Sequence, residues 1–313
     1  MKSLISRTVF YIYRSMPPEI RYRLKALAKV NGHSAGAFDG IKAMRDADGK
    51  KRIDRAMARV TAMLDGCNIS SLEGLRCLEV GCGFVPADAL CFYLLGAKSV
   101  LITDYNRIIR FDAIARAVAT VDEEPLFLSA SRFTGRSVFH QRWERLRHAC
   151  LAGEGALSAL GIFYHAPIDL SVESPGSDFD FIYSVCVLEH IPPPQLTPIL
   201  DVLAQALSVK GGMLHDINLQ DHLDEDGDPF GFLRRDSQYD PRFETDARGN
   251  RVRFGQWEAL FGALKGVETK MVRRVVRPDA RPPATALLPE FSVLTQDDCF
   301  TSRIWTFTSR IQP

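Results

Sequence analysis

The chain lacks several features that would assign it to a common class of protein. Its 313 residues carry 39 Lys and Arg against 38 Asp and Glu, and a net charge of +1 argues against wholesale nucleic-acid binding. None of the seven cysteines belongs to a C-x-x-C pair, so the spacing of a structural zinc site is missing and a reducing compartment is favoured. The apolar residues near the start are interrupted by Arg7 and are too few to span a membrane. We therefore expect a cytoplasmic protein with a hydrophobic core.

The charge is nevertheless uneven. Residues 1–60 contain 14 Lys and Arg against 5 Asp and Glu, and the rest of the chain has a net charge of −8. Apolar residues recur every three or four positions on both sides of a glycine-rich break at 31–40, which predicts a helical N-terminal extension over 1–65. Its basic residues could touch an acidic membrane surface as a peripheral contact, an anionic partner, or only solvent.

From residue 75 onward, strand and helix patterns alternate. This alternation predicts an α/β fold in which helices cover both faces of a mostly parallel sheet. The predicted strands end near residues 80, 104, 168, 185, 218, 276 and 308. Two irregular stretches, 121–160 and 219–254, are predicted to be cap insertions in a second domain that covers 66–313.

The stretch "LEVGCGFVPADAL" runs from a buried strand through a glycine turn into a helix. Such a turn presents bare backbone N–H groups of Gly81 and Gly83 to a ligand at the carboxyl end of a strand. Asp104 ends the next strand, 21 residues after Gly83, where a carboxylate suits the hydroxyls of a ribose. The pattern predicts an adenosine-type ligand.

Two observations separate the adenosine ligands. A dinucleotide fingerprint has a third glycine where this chain has Pro86, although an NAD-dependent oxidoreductase remains an alternative because it uses the same turn. Glu79 stands inside the turn, where its charge would repel a pyrophosphate and attract the sulfonium and ammonium groups of S-adenosylmethionine. The charge of Glu79 therefore favours S-adenosylmethionine.

These segments resemble class I S-adenosylmethionine-dependent methyltransferases. The E-x-G-x-G motif, "VLITDYN", "APIDLSVESPGSDFDFIYSVCVLEHI" and "LSVKGGMLHDIN" all have counterparts in that family, with Lys210 in place of a usual proline. The resemblance implies a Rossmann-like sheet of seven strands with an antiparallel last strand. It also implies that Asp169 approaches the adenine. The implied cofactor-binding residues are Glu79, Gly81, Cys82, Gly83, Asp104, Tyr105, Asp169, Leu170, Ser184 and Val185.

The acceptor is predicted less directly. The chain has "SVCVLEH" where enzymes that methylate base amines have Asn/Asp-Pro-Pro-aromatic, and no cysteine follows a proline, so a nucleic-acid acceptor is disfavoured. The polar stretch 219–254 resembles bacterial methyltransferases of cell-surface polysaccharide and sugar pathways. This resemblance predicts O-methylation of a sugar or glycan hydroxyl. Asn250, Arg251 and Arg253 are then expected to hold hydroxyls or a phosphate.

Removal of a hydroxyl proton needs a base. His222, oriented by Asp221 or Asp216, is the first candidate, and His190 is the second. Asp216, Asp221 and His222 could instead hold Mg²⁺, although a solvated acidic loop explains the same residues. Another small-molecule or lipid-linked acceptor, or a non-catalytic cofactor-binding protein, remains an alternative. The sequence predicts no oligomeric state.

Overall fold

The computed structural model describes residues 49–152, 154–237, 239–280 and 286–311, together with positions 16 and 20. Apart from those two positions, residues 1–48 of the predicted N-terminal extension, which hold most of its basic residues, lie outside the described residues. Helix α1 (Gly49–Gly66) is the described part of the second predicted N-terminal helix. None of the helices within the described ranges is both long and apolar enough to cross a membrane.

Seven strands form one sheet, in the order β3-β2-β1-β4-β5-β7-β6. The strands are β1 (Arg76–Val80), β2 (Ser99–Thr103), β3 (Ile162–His165), β4 (Phe179–Val185), β5 (Leu207–Asn218), β6 (Val267–Val276) and β7 (Thr301–Arg310). The pairs among β1 to β5 are parallel, whereas β7 runs antiparallel to both β5 and β6. The predicted fold class, a mostly parallel Rossmann-like sheet with an antiparallel last strand, is confirmed.

Helices cover both faces of the sheet. They are α2 (Ala87–Leu94), α3 (Phe111–Ala119), α4 (Glu123–Ala130), α5 (Arg136–Ala152), α6 (Glu154–Ser158), α7 (Pro193–Ala206), α8 (Pro241–Arg248), α9 (Phe254–Gly262), α10 (Pro289–Ser292) and α11 (Gln296–Cys299). Because side chains alternate along a strand, Cys77 of β1 packs with α1 to α5 on one face, and its neighbour Leu78 packs with α7 and α9 on the other. This alternation decides which strand residues can reach a ligand.

The two predicted insertions adopt different structures. Residues 121–160 form α4 to α6, and both Phe139 and Trp143 are buried in the core that α1 shares with the sheet. Residues 219–254 contain a short 3₁₀ helix (Gly231–Leu233) and α8, and they help to build a small hydrophobic cluster around Phe230 and Phe232. This second insertion follows β5 at the carboxyl edge of the parallel strands.

Candidate functional site

The candidate site lies where parallel strands of the sheet end at their carboxyl edge, the place at which open α/β sheets bind ligands. The glycine turn follows β1, and Asp104 follows β2. The turn Leu188–His190 follows β4, and the segment that contains His222 follows β5. The order β2-β1-β4-β5 puts the predicted cofactor residues and the predicted bases on neighbouring strands.

The two glycines of the turn differ in what surrounds them. Both have positive φ, +72° at Gly81 and +63° at Gly83. A Cβ on Gly81 would lie 2.5 Å from a Val187 methyl group, so its glycine is required by packing inside the protein. Among the described residues, a Cβ on Gly83 would meet nothing nearer than the Arg52 guanidinium at 3.8 Å. Gly83 is therefore the position with room beside it for a ligand.

Asp104 ties the glycine turn to the end of β2. Its Oδ2 accepts a hydrogen bond from the Cys82 N–H at 3.1 Å, and its Oδ1 accepts one from the Asn106 N–H at 3.0 Å. Burial raises the pKa of Asp104 above its ordinary value. The half-buried carboxylate therefore fixes the shape of the turn, and it remains at the edge where the ribose was predicted.

The predicted adenine-side residues follow β3. The Ile168 N–H donates to the Asp104 carbonyl at 3.0 Å, which brings this segment against the end of β2. Asp169 is half-buried, and its Oδ1 accepts from both the N–H and the hydroxyl of Ser171, at 2.9 and 2.6 Å. Leu170 is buried in the core, whereas Tyr105 is 68% exposed.

Glu79, the acid predicted inside the turn, is the fourth residue of β1 and lies just before the turn, where its side chain is buried. Its Oε2 atom has no hydrogen-bond partner among the described residues. Burial first, and then the charge of Asp88, raise the pKa of Glu79 well above its ordinary value, and the charge of Arg59 and the neighbouring Tyr183 hydroxyl oppose them. Arg59 itself pairs with Asp88, with Nη2 and Oδ2 2.7 Å apart. A further cation beside Glu79 would favour its ionised form.

Ser184 and Val185, at the end of β4, were both predicted to lie against the cofactor. The register pairs Ser184 with Val80, so Ser184 faces the opposite side of the sheet from Glu79. Its hydroxyl is buried and hydrogen bonded to Nδ1 of His215 at 2.8 Å. The Ser184 side chain thus belongs to the core, and the predicted contact of this strand end with the cofactor stays a prediction. Val185 is half-buried and packs on the α1 side.

The structure brings both candidate bases together. The rings of His190 and His222 pack edge to face, with centroids 4.7 Å apart. His222 Nε2 lies 4.0 Å from Oε1 of Glu189, and its Nδ1 lies 3.7 Å from Oε1 of Glu225. The carboxylates beside His222 are therefore those of Glu189 and Glu225, neither of which was predicted.

Glu189 is 2% exposed and lies at the centre of this group. Its Oε1 accepts a hydrogen bond from the Asn218 N–H at 3.1 Å, while Oε2 has no partner among the described residues. Burial raises the pKa of Glu189 to about 8. One donor atom each from Glu189, His190 and His222 lies within 4.8 Å of the other two.

The predicted partners of His222 are engaged with arginines instead. Asp221 forms a buried ion pair with Arg248, in which the guanidinium donates to both carboxylate oxygens. Asp216 is fully buried, and its two oxygens accept from Nε and Nη2 of Arg303, each at 2.6 Å. These pairs replace the predicted orienting role of Asp221 or Asp216, and they also remove both carboxylates from the predicted Mg²⁺ site.

Two of the three predicted substrate residues are bound to backbone carbonyls. The Asn250 amide donates to the carbonyls of Leu188 and Ile191, at 2.9 and 3.0 Å. Arg253 is 1% exposed and donates to the carbonyls of Arg251, Cys299 and Leu219. These bonds hold both side chains within the loops, and their predicted contact with a substrate stays a prediction.

Arg251, the third predicted substrate residue, stacks on an aromatic ring. Its guanidinium carbon lies 4.1 Å from the centre of the Tyr239 ring, and the residue has a φ of +59°. The guanidinium is therefore also held by the 219–254 insertion.

Sequence reasoning missed Glu189, Glu225 and Arg303. Glu189 had a usable signal, because it directly precedes His190 in the segment after the fourth strand. Arg303 had none. It comes from the last, antiparallel strand, and only the pairing of β7 with β5 brings it beside Asp216.

No protein-family model and no curated protein matches the chain. Similar solved structures include a TehB-like SAM-dependent methyltransferase from Corynebacterium glutamicum, with 15% identity, a TM-score of 0.41, and coverage of 82% of this chain and 88% of that chain. An S-adenosylmethionine-dependent methyltransferase from Mesorhizobium loti has 19% identity, a TM-score of 0.41, and coverage of 80% and 96%. A magnesium protoporphyrin IX methyltransferase from Synechocystis PCC 6803 with bound SAH has 15% identity, a TM-score of 0.42, and coverage of 87% and 86%.

Proposed function

We propose that this chain transfers a methyl group from S-adenosylmethionine to a hydroxyl of a small molecule or glycan. One observation carries the proposal. An acid-containing glycine turn and Asp104 lie at the ends of β1 and β2, and a histidine pair lies at the ends of the adjoining β4 and β5. Cofactor residues and a proton acceptor thus share one edge of the sheet, as transfer to a hydroxyl requires.

The residues of the turn fit the cofactor. Within the described part of the chain, Gly83 has open space beside its backbone, and Asp104 offers a carboxylate at the end of the next strand. The buried Oε2 of Glu79, which has no partner among the described residues, is a position where a cationic group would be stabilised. When bound, S-adenosylmethionine supplies a methyl carbon made electrophilic by the neighbouring sulfonium.

On the acceptor side, His222 is the proposed base. Its side chain is 16% exposed, so it can meet an acceptor while the ring stays fixed by its neighbours. Glu225 beside Nδ1 would stabilise the imidazolium that forms when the ring takes up a proton, and Glu189 lies beside Nε2. His190, in edge contact with this ring, limits how it can turn.

The proposed acceptor class is a sugar or glycan hydroxyl, and its support is the sequence resemblance of residues 219–254 to polysaccharide-pathway methyltransferases. Another small-molecule or lipid-linked hydroxyl is the alternative. We place the enzyme in the cytoplasm, with its basic N-terminal residues as a proposed peripheral membrane contact.

Transfer of a radiolabelled methyl group into fractionated cell extracts tests the proposal. We expect label in a hydroxyl-bearing product, whose mass analysis gives the methylated position. His222→Ala should keep its affinity for S-adenosylhomocysteine and lose roughly 10²-fold or more of the transfer rate. His148→Ala is the matched control, because His148 is an exposed histidine on α5. Cofactor binding without label in any fraction would instead support a non-catalytic protein.

A further inference from the structure

We propose that Glu189, His190 and His222 form a binding site for one first-row divalent cation, of which Zn²⁺ is the best match. One ligand atom from each residue lies within 4.8 Å of the other two. A cation about 2 Å from each of three atoms in a tetrahedral arrangement requires them to lie about 3.3 Å apart, so the three side chains must move together by about 1 Å. The geometry therefore needs only small side-chain movements to close around an ion.

The buried carboxylate of Glu189 independently indicates a cation at this position. The residue is 2% exposed, and its Oε2 has no hydrogen-bond partner among the described residues. A buried carboxylate oxygen without a partner is costly, and it is satisfied in proteins by a donor, a cation or protonation. Imidazole is a common metal ligand, so the two histidines and the Glu189 carboxylate could bind one cation together.

The backbone that carries the three residues is held by one short segment. The Asn250 N–H donates to the Glu189 carbonyl at 2.7 Å, and its side chain donates to the carbonyls on either side of the turn. The His222 N–H donates to the Arg248 carbonyl at 3.2 Å. Residues 248–250 thus connect the turn after β4 to the segment after β5, and they fix the ligands before any ion arrives.

The donor set selects the kind of ion. Mg²⁺ favours oxygen ligands and retains water, whereas imidazole nitrogen suits Zn²⁺ and other first-row transition ions. Two imidazoles and one carboxylate form the His₂Glu set that leaves a fourth position open on zinc. The ion expected here is thus Zn²⁺, and the ligands are not the Asp216, Asp221 and His222 set predicted for Mg²⁺.

An open position would let the ion bind the acceptor hydroxyl and lower its pKa. This role, unlike metal binding itself, rests on the proposed function. With the ion bound, His222 would be one of its ligands instead of the proton acceptor, and the loss of activity in His222→Ala would then follow from loss of the ion.

The test is Zn²⁺ titration of the untagged full chain after removal of metals with a chelator. We expect one tight site per chain, weakened at least 100-fold by Glu189→Gln and by His222→Ala, and no comparable affinity for Mg²⁺. Glu189→Gln nearly preserves volume, so circular dichroism should show it folded. His148→Ala, on the exposed face of α5, should bind like the wild type.

Equal Zn²⁺ affinity in the wild type and in both site variants would overturn the site and indicate adventitious binding by other histidines or cysteines. No tight Zn²⁺ binding at all would overturn it as well. S-adenosylhomocysteine affinity, measured on the same preparation, separates the two proposals. A preparation that binds S-adenosylhomocysteine but not Zn²⁺ contradicts only the metal inference. A preparation that binds Zn²⁺ but not S-adenosylhomocysteine contradicts only the proposed function.

Discussion

Asp221 and Arg248 form an ion pair inside the protein, with side chains that are only 2% and 7% exposed. Nε of Arg248 donates to Oδ1 of Asp221 at 3.0 Å, and Glu244 lies on the other side of the guanidinium. The Arg248 carbonyl in turn accepts from the His222 N–H. The pair therefore anchors the segment that carries the proposed base, although neither of its side chains is assigned to the chemistry.

Asp221→Ala should strongly destabilise the protein, because it leaves the Arg248 guanidinium buried and short of its main acceptor. Loss of one partner of a buried pair costs about 3–5 kcal/mol in the free energy of unfolding. Urea denaturation measures this change. Arg116→Ala, which removes an exposed ion pair on α3, should change stability far less. Equal effects of the two substitutions would contradict the anchoring role.

Gly81→Ala should destabilise the glycine turn for two separable reasons. The new methyl group would lie 2.5 Å from Val187, and an alanine would be forced to a φ of +72°. Together these effects should cost about 2–4 kcal/mol in the free energy of unfolding. The double variant Gly81→Ala/Val187→Ala should recover the steric part and retain the backbone part. If Val187→Ala gives no recovery, the contact with Val187 is not what requires glycine.

His215 should make the protein sensitive to acid. Burial lowers the pKa of His215 to about 3, so the folded chain binds fewer protons than the unfolded chain, whose histidine titrates near pH 6.5. Stability is therefore lost as pH falls below 6.5, by about 2 kcal/mol between pH 7 and pH 5. His215→Asn, which keeps a hydrogen-bond acceptor or donor for Ser184, should remove this dependence of the free energy of unfolding on pH. Denaturation curves at the two pH values measure this change in stability. An equal change in the wild type and in His215→Asn would contradict a buried neutral His215.

Asp104→Asn should weaken binding of S-adenosylhomocysteine while leaving the fold intact. The amide oxygen can still accept from the Cys82 N–H, but the charged acceptor for the ribose is gone. A hydrogen bond to a charged group is worth about 1.5–3 kcal/mol, which is about 10- to 100-fold in affinity. Isothermal titration calorimetry measures the change, with Asp112→Asn on the exposed surface of α3 as the control. Unchanged affinity in Asp104→Asn would remove this residue from the ribose site.

Sequence patterns predicted the sheet well because each parallel strand is a short apolar run followed by a helix signal, as in β1 and α2. The positions at which β1 and β2 end could also be predicted, because Gly81, Gly83 and Asp104 follow local rules of spacing and charge. The burial of the Ser184 side chain was not predicted, because the face on which a strand-end residue lies depends on its register with β1.

The acceptor side was less predictable because its partners are distant in the chain. Asn250 and Arg253 resemble ligand-binding residues in composition, and only the folded loops show that backbone carbonyls occupy them. The contact between His190 and His222 likewise depends on β4 and β5 being neighbours. A sequence pattern within one segment does not predict which distant segments it contacts.

Glu79 and the glycine turn should select S-adenosylmethionine over a dinucleotide, and competition between the two kinds of ligand measures this selection. Titration calorimetry of the full chain should show binding of S-adenosylhomocysteine and of S-adenosylmethionine, and no heat from NADH at the same concentrations. Binding of NADH that S-adenosylhomocysteine cannot displace would contradict the claim and return the chain to the alternative of a dinucleotide-dependent oxidoreductase.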